Sequence, residues 1–286
     1  MTTVGIVSPG AMGGALGRGW AEAGARVVAT VQGRSERTER LAHGIERLGS
    51  LVAVVAASDV VVSVVPPGEA LAVAADIAAA ANDAGARPLV ADLNAVSPAT
   101  VRRIAEVLAP LDLVDGSLSG GPPDTGTTRV YLAGPKAETV AALGHPRLDV
   151  RVLDGPVGMA SAVKMSTASV YKGFSALLLH AVAAAEANGV RDVVLDDLAR
   201  EFPDAVADLA RWLASAGSKA HRFVAEMREI AATQQAAGLS PELFEAVALV
   251  WARVAATPLG ATTPEEARGA TEVGEVVRLL GRVVRG

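Results

Sequence analysis

The amino-acid sequence predicts an α/β fold in which a doubly wound parallel sheet is followed by an all-α region that begins with a long helix. A short apolar strand runs directly into a glycine-rich turn and an alanine-rich helix at the start of the chain. Strand-like and helix-like segments then alternate to about residue 155, which is typical of parallel sheets with right-handed crossovers. No strand-like segment follows Gly158. We therefore predict two domains, residues 1–158 and 159–286.

The first predicted strand, turn and helix have the order of a dinucleotide-binding crossover. We expect a strand over Val4–Val7, a turn over Ser8–Gly13 and a helix that reaches Ala23. A helix N-terminus offers unpaired N–H groups and partial positive charge to a pyrophosphate. Gly10 and Gly13 let the backbone come close, although a serine stands where the first fingerprint glycine is usual. The candidate contacts are Ser8, Gly10, Ala11, Met12 and Gly13; the alternative is a plain strand-to-helix connection without a ligand.

The second predicted strand, Arg26–Val31, bears on the choice of nucleotide. An NAD site usually places Asp or Glu at this strand end to bind the ribose 2′-OH, and no carboxylate stands there. Gly33 is followed by Arg34, Ser35 and Arg37, two guanidinium groups around a hydroxyl, which suit a 2′-phosphate. We therefore predict NADP(H) as cofactor. Alternatively Ser35 caps the next helix and the arginines are its solvated face; both interpretations can hold together.

The other predicted elements complete the two regions. Further strands are expected at Leu51–Val55, Asp59–Val65, Pro88–Asp92, Leu113–Gly116, Arg129–Leu132 and Val150–Leu153. Glu69–Ala84 is expected to be a helix, and Ser97 with Pro98 predicts the start of another. Ligands on such sheets bind beyond the carboxyl ends of the strands.

The region after Gly158 is expected to be helical throughout. Met159–Asn188 reads as one long helix that ends at Gly189. Shorter helices are expected at Asp196–Phe202, Pro203–Ala216, Ser218–Ala237, Pro241–Ala256 and from Pro264 onward, where Thr263–Glu266 forms a capping box. Because the long helix is apolar on almost every face, we expect it to pack against a second copy in a homodimer.

Composition and charge exclude several classes of function. The formal net charge is −5 and no basic stripe is present, so nucleic-acid binding is not expected. The chain has no cysteine, and its four histidines lie far apart, so no metal site is expected. It shows neither a basic leader nor an uninterrupted apolar run of ~18–20 residues. We expect a soluble, cytoplasmic protein without a membrane segment.

Two of the four lysines stand in the long apolar helix. Lys164 and Lys172 are eight residues apart, and Ser161 lies about one turn before the first of them, so they form a polar stripe. Burying an ammonium group without a partner is costly, so these lysines need an explanation. One is a lysine that lines an interdomain cleft and acts as general acid–base group. The other is a solvated edge with snorkelling lysines.

Two further segments stand at predicted strand ends. Ser119, Gly120 and Gly121 offer a hydroxyl and accessible N–H groups to a carboxylate or oxyanion, or they form part of a simple loop. Asn94 either reaches a nicotinamide or substrate, or caps the helix that follows.

Taken together, these segments resemble the β-hydroxyacid dehydrogenase superfamily, which includes 6-phosphogluconate dehydrogenases and imine reductases. The resemblance covers roughly residues 3–190, over which the matching segments follow in family order. They are Gly10–Gly13, Gly33–Ser35, Val64–Pro67, Asp92–Pro98, Ser119–Gly121 and Gly155–Gly158 ahead of Lys164. The C-terminal part looks like a poorly characterised bacterial branch.

The resemblance implies a Rossmann domain for the nucleotide and roles for particular residues. Lys164 is implied as the general acid–base catalyst, with Ser119, Gly120 and Gly121 as substrate contacts. Val65 and Pro66 join the implied cofactor contacts. Lys172, His221 and Arg222 are further candidates for the substrate site, the last two reaching it from the partner subunit as one alternative. The other alternative is an exposed helical ion pair, for which Arg222 and Glu226 have the spacing.

The resemblance thus implies an NADP(H)-dependent oxidoreductase that acts on a small carbonyl or hydroxy compound. Two departures are Ser8 at the first fingerprint glycine and Ala168 in place of the usual asparagine one turn after the lysine. An imine reductase with the same cofactor is the near alternative; imine reductases generally carry Asp or Tyr in place of Lys164. A non-catalytic NADP(H)-binding sensor is the alternative from another class.

Overall fold

The computed structural model describes residues 1–281 and divides within the long helix. The N-terminal unit comprises Met1–Met165 and the C-terminal unit begins at Ser166. The sequence-based boundary at 158/159 follows the end of the strands. The structural boundary comes seven residues later, because the first turns of the long helix are bonded to the sheet.

The N-terminal unit is built on a sheet of eight strands within the described residues. They are β1 (Thr3–Ile6), β2 (Arg26–Ala29), β3 (Glu46–Arg47), β4 (Val60–Ser63), β5 (Leu89–Asp92), β6 (Leu113–Ser119), β7 (Thr128–Ala133) and β8 (Leu148–Leu153). Their spatial order is β3-β2-β1-β4-β5-β6-β7-β8. The strands are added outward in one direction from β1 to β3 and in the other direction from β4 onward, so the strand order reverses between β1 and β4. Ligands of α/β proteins bind beside such a switch point.

One pairing departs from the all-parallel sheet that the sequence predicts. β6 and β7 are antiparallel, with Ser119 opposite Arg129, whereas the other neighbouring strands are parallel. The connection between these two strands is short, and only antiparallel strands can be joined without a crossover. The segment that contains Gly120 and Gly121 is therefore the loop of a hairpin.

Helices cover both faces of this sheet. They are α1 (Ala11–Glu22), α2 (Glu36–Leu41), α3 (Leu51–Ala57), α4 (Ala70–Ala84), α5 (Pro98–Leu108) and α6 (Ala137–Ala141). Leu16 and Trp20 of α1 pack on one face of the sheet, and Ile77 of α4 and Ile104 of α5 pack on the other. Because both faces are covered, β1, β4 and β5 are buried along their whole length.

The predicted strand at Leu51–Val55 is wrong, since these residues form α3. The side chain of Ser50 accepts a hydrogen bond from the amide of Ala53 at 3.1 Å and starts the helix. The place of the missing strand is taken by β3, the two-residue edge strand just before it. A short run of β-branched residues does not distinguish a buried strand from a buried helix, so the cap carried the information.

The C-terminal unit is helical over its described residues. Its elements are the greater part of α7 (Met159–Ala187), then α8 (Arg191–Glu201), α9 (Pro203–Ala207), α10 (Leu209–Gly217), α11 (Ala220–Ala236), α12 (Glu242–Ala255), α13 (Pro258–Ala261), α14 (Pro264–Ala267) and α15 (Val273–Leu279). The predicted end of α7 at Gly189 is confirmed by a φ of +71° there. The capping box at Thr263 and Glu266 is also present.

Helix α7 is the one element among residues 1–281 that is long and apolar enough to cross a membrane, judged by length and composition. Core helices of soluble proteins pass the same test, and 44% of its most apolar stretch is buried inside the protein. Val170, Tyr171 and Leu177 of α7 are 63–66% exposed. The helix is therefore not enclosed on every face by its own chain.

Candidate functional site

The turn between β1 and α1 has an open backbone at Gly10 and a packed one at Gly13. A Cβ at Gly13 would lie 2.3 Å from the carbonyl oxygen of Ser8, so glycine is required there for α1 to reach the strand. A Cβ at Gly10 would meet nothing within 4 Å. No side chain caps the N-terminus of α1. Free space beside an uncapped helix start fits the phosphate group of a dinucleotide.

The end of β2 places the arginine cluster on an exposed helix start. Gly33 has a φ of +70°, which turns the chain after β2. The Ser35 hydroxyl accepts a hydrogen bond from the amide of Thr38 at 3.3 Å, so the predicted helix cap is present. Arg34, Ser35 and Arg37 are exposed. Exposed guanidinium groups are of the kind that bind phosphates, and these two stand at a capped helix start.

Asn94 is a buried link between two strand ends. Its Oδ1 accepts a hydrogen bond from the amide of Val65 at 2.6 Å, and its Nδ2 donates to Ser63 at 3.0 Å and to Asp92 at 2.7 Å. The side chain is 1% exposed. The polar atoms of Asn94 are thus bonded within the chain, and Asn94 does not cap α5, whose cap is Ser97. It fixes the backbone of Val65 at the carboxyl end of β4.

Asp92 shares this network and has a strongly perturbed pKa. Burial raises the pKa of Asp92 to about 7, against the opposing effect of two hydrogen bonds from Asn94. The negative charge of Asp115, its register partner on β6, raises the pKa further. At neutral pH a substantial fraction of Asp92 is therefore protonated.

The Ser119–Gly121 segment leaves the end of β6 as the start of the hairpin loop. Gly120 has a φ of +122°, a conformation that favours glycine. The hydroxyl of Thr128 donates a hydrogen bond to the carbonyl oxygen of Gly121 at 2.5 Å, which closes the loop. Gly120 and Gly121 are exposed and Ser119 is half-buried. The segment is thus accessible from solvent.

Lys164 lies beside this segment. Its Nζ donates a hydrogen bond of 2.8 Å to the carbonyl oxygen of Leu118, the residue before Ser119. The side chain is half-buried rather than extended into water along an exposed helix face. The structure therefore brings the two predicted catalytic residues, Lys164 and Ser119, to the same end of β6.

Asp115 is a residue of the site whose role the sequence did not disclose. Its carboxylate accepts hydrogen bonds from the amides of Gly158 and Ser161 and, at 2.7 Å, from the Ser161 hydroxyl. Asp115 is 0% exposed, and burial raises its pKa in opposition to these bonds. The bonding partner of a strand residue 46 positions away in the chain cannot be read from local sequence. The only indication in the sequence was that an aspartate and a serine are able to form a hydrogen bond.

Lys172, His221 and Arg222 belong to the C-terminal unit. Lys172 forms an ion pair with Glu226 of α11, and its Nζ lies 4.4 Å from the ring centroid of Phe223. The charge of Lys172 is therefore compensated within its own unit. His221 and Arg222 are exposed on α11, and partial burial together with the charge of Arg222 lowers the pKa of His221.

Comparison with known families matches both parts of the chain. Residues 3–145 match the NAD binding domain of 6-phosphogluconate dehydrogenase, and residues 185–254 match a domain of unknown function, DUF1932. A relative from Methanothermus fervidus, an uncharacterized 28.5 kDa protein, is 28% identical over 170 residues. That match covers 59% of this chain and 65% of the relative, so the chain spans just under two thirds of the relative's length.

Solved structures with the same fold include a protein of unknown function, a dehydrogenase and a reductive aminase. A conserved protein of unknown function, with structural similarity to 3-hydroxyacid dehydrogenases, is 27% identical with a TM-score of 0.65 (88% of this chain, 96% of the other). The 3-hydroxyisobutyrate dehydrogenase of Mycobacterium tuberculosis is 17% identical with a TM-score of 0.67 (94% and 98%). The reductive aminase of Aspergillus terreus, solved with NADPH, is 17% identical with a TM-score of 0.56 (96% and 98%).

Proposed function

The chain belongs to the family described as the NAD binding domain of 6-phosphogluconate dehydrogenase, and on that premise we propose that it is an NADP(H)-dependent oxidoreductase of small carbonyl or hydroxy compounds. The observation that carries the proposal is the hydrogen bond of Lys164 beside Ser119, within the same unit as the open turn at Gly10. When bound, the nicotinamide supplies hydride chemistry. The chain supplies the binding groups and the proton.

The proton is assigned to the ammonium group of Lys164. A carbonyl that is reduced gains a proton on oxygen, and a hydroxyl that is oxidised loses one, so a lysine near that oxygen serves in both directions. The hydroxyl of Ser119 and the amides of Gly120 and Gly121, two exposed residues, would orient the substrate by hydrogen bonds. No covalent intermediate is needed.

The nucleotide is assigned to the carboxyl ends of β1, β2 and β4. The turn from Ser8 to Gly13 would hold the pyrophosphate at the start of α1. Val65 and Pro66 follow β4 on the same side of the sheet, and Asn94 holds the amide of Val65 in place. Gly33, Arg34, Ser35 and Arg37 would hold the 2′-phosphate, which is the basis for NADP(H) rather than NAD(H).

Imine reduction is the second candidate, and the fold shared with the reductive aminase favours it. The cofactor site is the same for both reactions. The protonated lysine has the same task at a substrate nitrogen as at an oxygen. Comparison of ketones with cyclic imines as substrates in NADPH oxidation separates the two.

Nucleotide titration of the wild type and of Arg34→Ala tests the proposal. We expect tighter binding of NADPH than of NADH, and a loss of NADPH affinity of about tenfold or more in the variant, equivalent to ~1.4 kcal/mol. Arg40→Ala is the matched control, because Arg40 lies at the other end of α2 in an exposed pair with Glu36. No binding of either nucleotide to the wild type contradicts the oxidoreductase proposal.

We further propose a cytoplasmic homodimer that is formed through the helical unit. Val170 and Leu177 are exposed two turns apart on α7, so they lie on one side of the helix. An apolar stripe of this kind is suited to a second copy of the chain. Light scattering on the purified protein measures the mass, and a monomer at micromolar concentration contradicts this proposal.

A further inference from the structure

The first turn of α7 begins at a glycine that cannot cap it. Gly158 has a φ of +110°, and a Cβ there would lie 3.0 Å from the guanidinium of Arg102. A Ser, Thr, Asp or Asn side chain at this position commonly accepts one of the first amides of a helix, and glycine has no side chain to do so. In this protein the carboxylate of Asp115 accepts the amides of Gly158 and Ser161 at 2.8 and 3.1 Å. The cap is therefore contributed by β6.

The same strand also binds the lysine. Asp115 and Ser161 are 46 residues apart in the chain, and so are Leu118 and Lys164. The second contact therefore lies three residues further along both the strand and the helix than the first. A slip of the first turn of α7 along β6 would break both contacts at once and would carry the ammonium group away from Ser119.

The surroundings of Asp115 indicate that it places the start of the helix that carries Lys164, rather than stabilising the fold in general. A buried carboxylate is costly unless several donors satisfy it, and among the described residues its donors are Gly158, just before α7, and Ser161 in the first turn of α7. The residue opposite Asp115 on β5 is Asp92, another carboxylic acid, and the two negative charges repel each other. An apolar residue would avoid this cost but would leave the amides of α7 without a partner.

We propose that Asp115 is a positioning residue which, through Gly158 and Ser161, sets the place of the Lys164 ammonium group beside Ser119. The inference rests on the proposed function, because it gives Lys164 a catalytic task. The acceptor carboxylate is the part that matters. Both amides donate to the same oxygen, Oδ2, and the Ser161 hydroxyl donates to Oδ1. Asparagine can keep an acceptor at the first position, but it replaces charge-assisted bonds with weaker neutral ones and turns an N–H group toward the Ser161 hydroxyl.

Trace acylation of lysine amines tests the proposal without a substrate. The chain has four lysines, 136, 164, 172 and 219, so mass spectrometry can follow the reactivity of each one. We expect Lys164 to react about threefold or more faster, relative to Lys219, in Asp115→Asn than in the wild type. Ser161→Ala, which keeps the two amide contacts, is expected to show a smaller rise in the same direction.

Asp112→Asn is the matched control. Asp112 pairs with Lys136 on the surface at 2.6 Å, so this variant should change the reactivity of Lys136 and leave that of Lys164 unchanged. Unchanged relative reactivity of Lys164 in Asp115→Asn overturns the proposal. If that variant does not fold, unchanged reactivity in Ser161→Ala overturns it.

NADPH titration of the same proteins separates this inference from the proposed function. We expect wild-type affinity in Asp115→Asn and Ser161→Ala, because neither residue lies at the nucleotide turn. Absence of nucleotide binding in the wild type contradicts the function and leaves the acylation result intact. With an identified substrate, Asp115→Asn should lower kcat more than it changes KM, a split that a merely structural cap would not produce.

Discussion

The substitutions Gly13→Ala and Gly10→Ala each add one methyl group, and the surroundings of the two methyl groups differ. At Gly13 the methyl carbon would stand 2.3 Å from the backbone oxygen of Ser8, about 1 Å inside ordinary contact. Side chains of Val64 and Ile6 at 3.1 and 3.2 Å close the other sides. Overpacking of this kind costs about 1–3 kcal/mol, and the gain in helix propensity of up to ~1 kcal/mol offsets part of it. We expect a net loss of about 1–2 kcal/mol in Gly13→Ala.

Gly10→Ala should have the opposite profile. Gly10 has a φ of −71°, which alanine adopts without strain, and the methyl group meets no protein atom within 4 Å. Loss of glycine restricts the unfolded chain, so stability should stay the same or rise by about 0.4–1 kcal/mol. The methyl group does occupy the space beside the helix start, so NADPH affinity should fall by about tenfold or more.

Urea unfolding followed by circular dichroism measures the first effect, and NADPH fluorescence titration measures the second. The two variants are each other's control, since both replace one glycine of the same turn. Wild-type affinity in Gly10→Ala would show that the open space is not the phosphate site. Wild-type stability in Gly13→Ala would refute the assignment of close strand-to-helix contact at that residue.

Three further predictions concern charged side chains. Lys164→Met should retain NADPH binding and lose about a hundredfold or more in turnover of any carbonyl or imine that NADPH oxidation identifies; unchanged turnover would remove the lysine from the mechanism. Because the folded pKa of Asp92 is raised to about 7, its stabilising contribution is complete below pH ~4 and is lost as pH rises to about 7. The wild type should therefore lose stability relative to Asp92→Asn over that range, by at most ~1.4 kcal/mol per pH unit in urea unfolding, and a flat difference would refute the raised pKa. Lys172→Met should cost about 3–5 kcal/mol by leaving Glu226 buried and charged, and addition of Glu226→Leu should recover most of it; no recovery would show that the ion pair is not the cause.

The parts of the structure that were predictable from sequence depend on neighbouring residues. The cap at Ser97 and the capping box at Thr263 each join a side chain to an amide three positions away, and the crossover at Gly10–Gly13 depends on glycines within one turn. The error at Leu51–Val55 also concerns a local signal, because the helix cap at Ser50 lies next to the run of apolar residues that was predicted to be a strand. Caps and glycines next to these elements determine where they begin, so the sequence contains the information needed to predict them.

The remaining features depend on contacts between distant segments. The antiparallel placement of β7 follows from a short hairpin that the sequence shows only as a loop. Asn94 was a candidate ligand contact, but bonds to Ser63 and Val65, about 30 residues earlier, occupy its side chain. The link from Asp115 to Ser161 is likewise invisible in either segment alone. Residue types were predictable in these cases, and their partners were not.

The cap that β6 contributes to α7 also bears on the order in which the protein is made. Synthesis delivers the N-terminal segments first, and domains generally fold as units in that order. Asp115 leaves the ribosome more than 40 residues before the helix it caps, at a time when β4 and β5 are already available to pair with β6. When the start of α7 emerges, the carboxylate of Asp115 is therefore already in the sheet and can accept the first amides of the helix. A circular permutant that begins at α7 would reverse this sequence of events and present the helix before its cap exists.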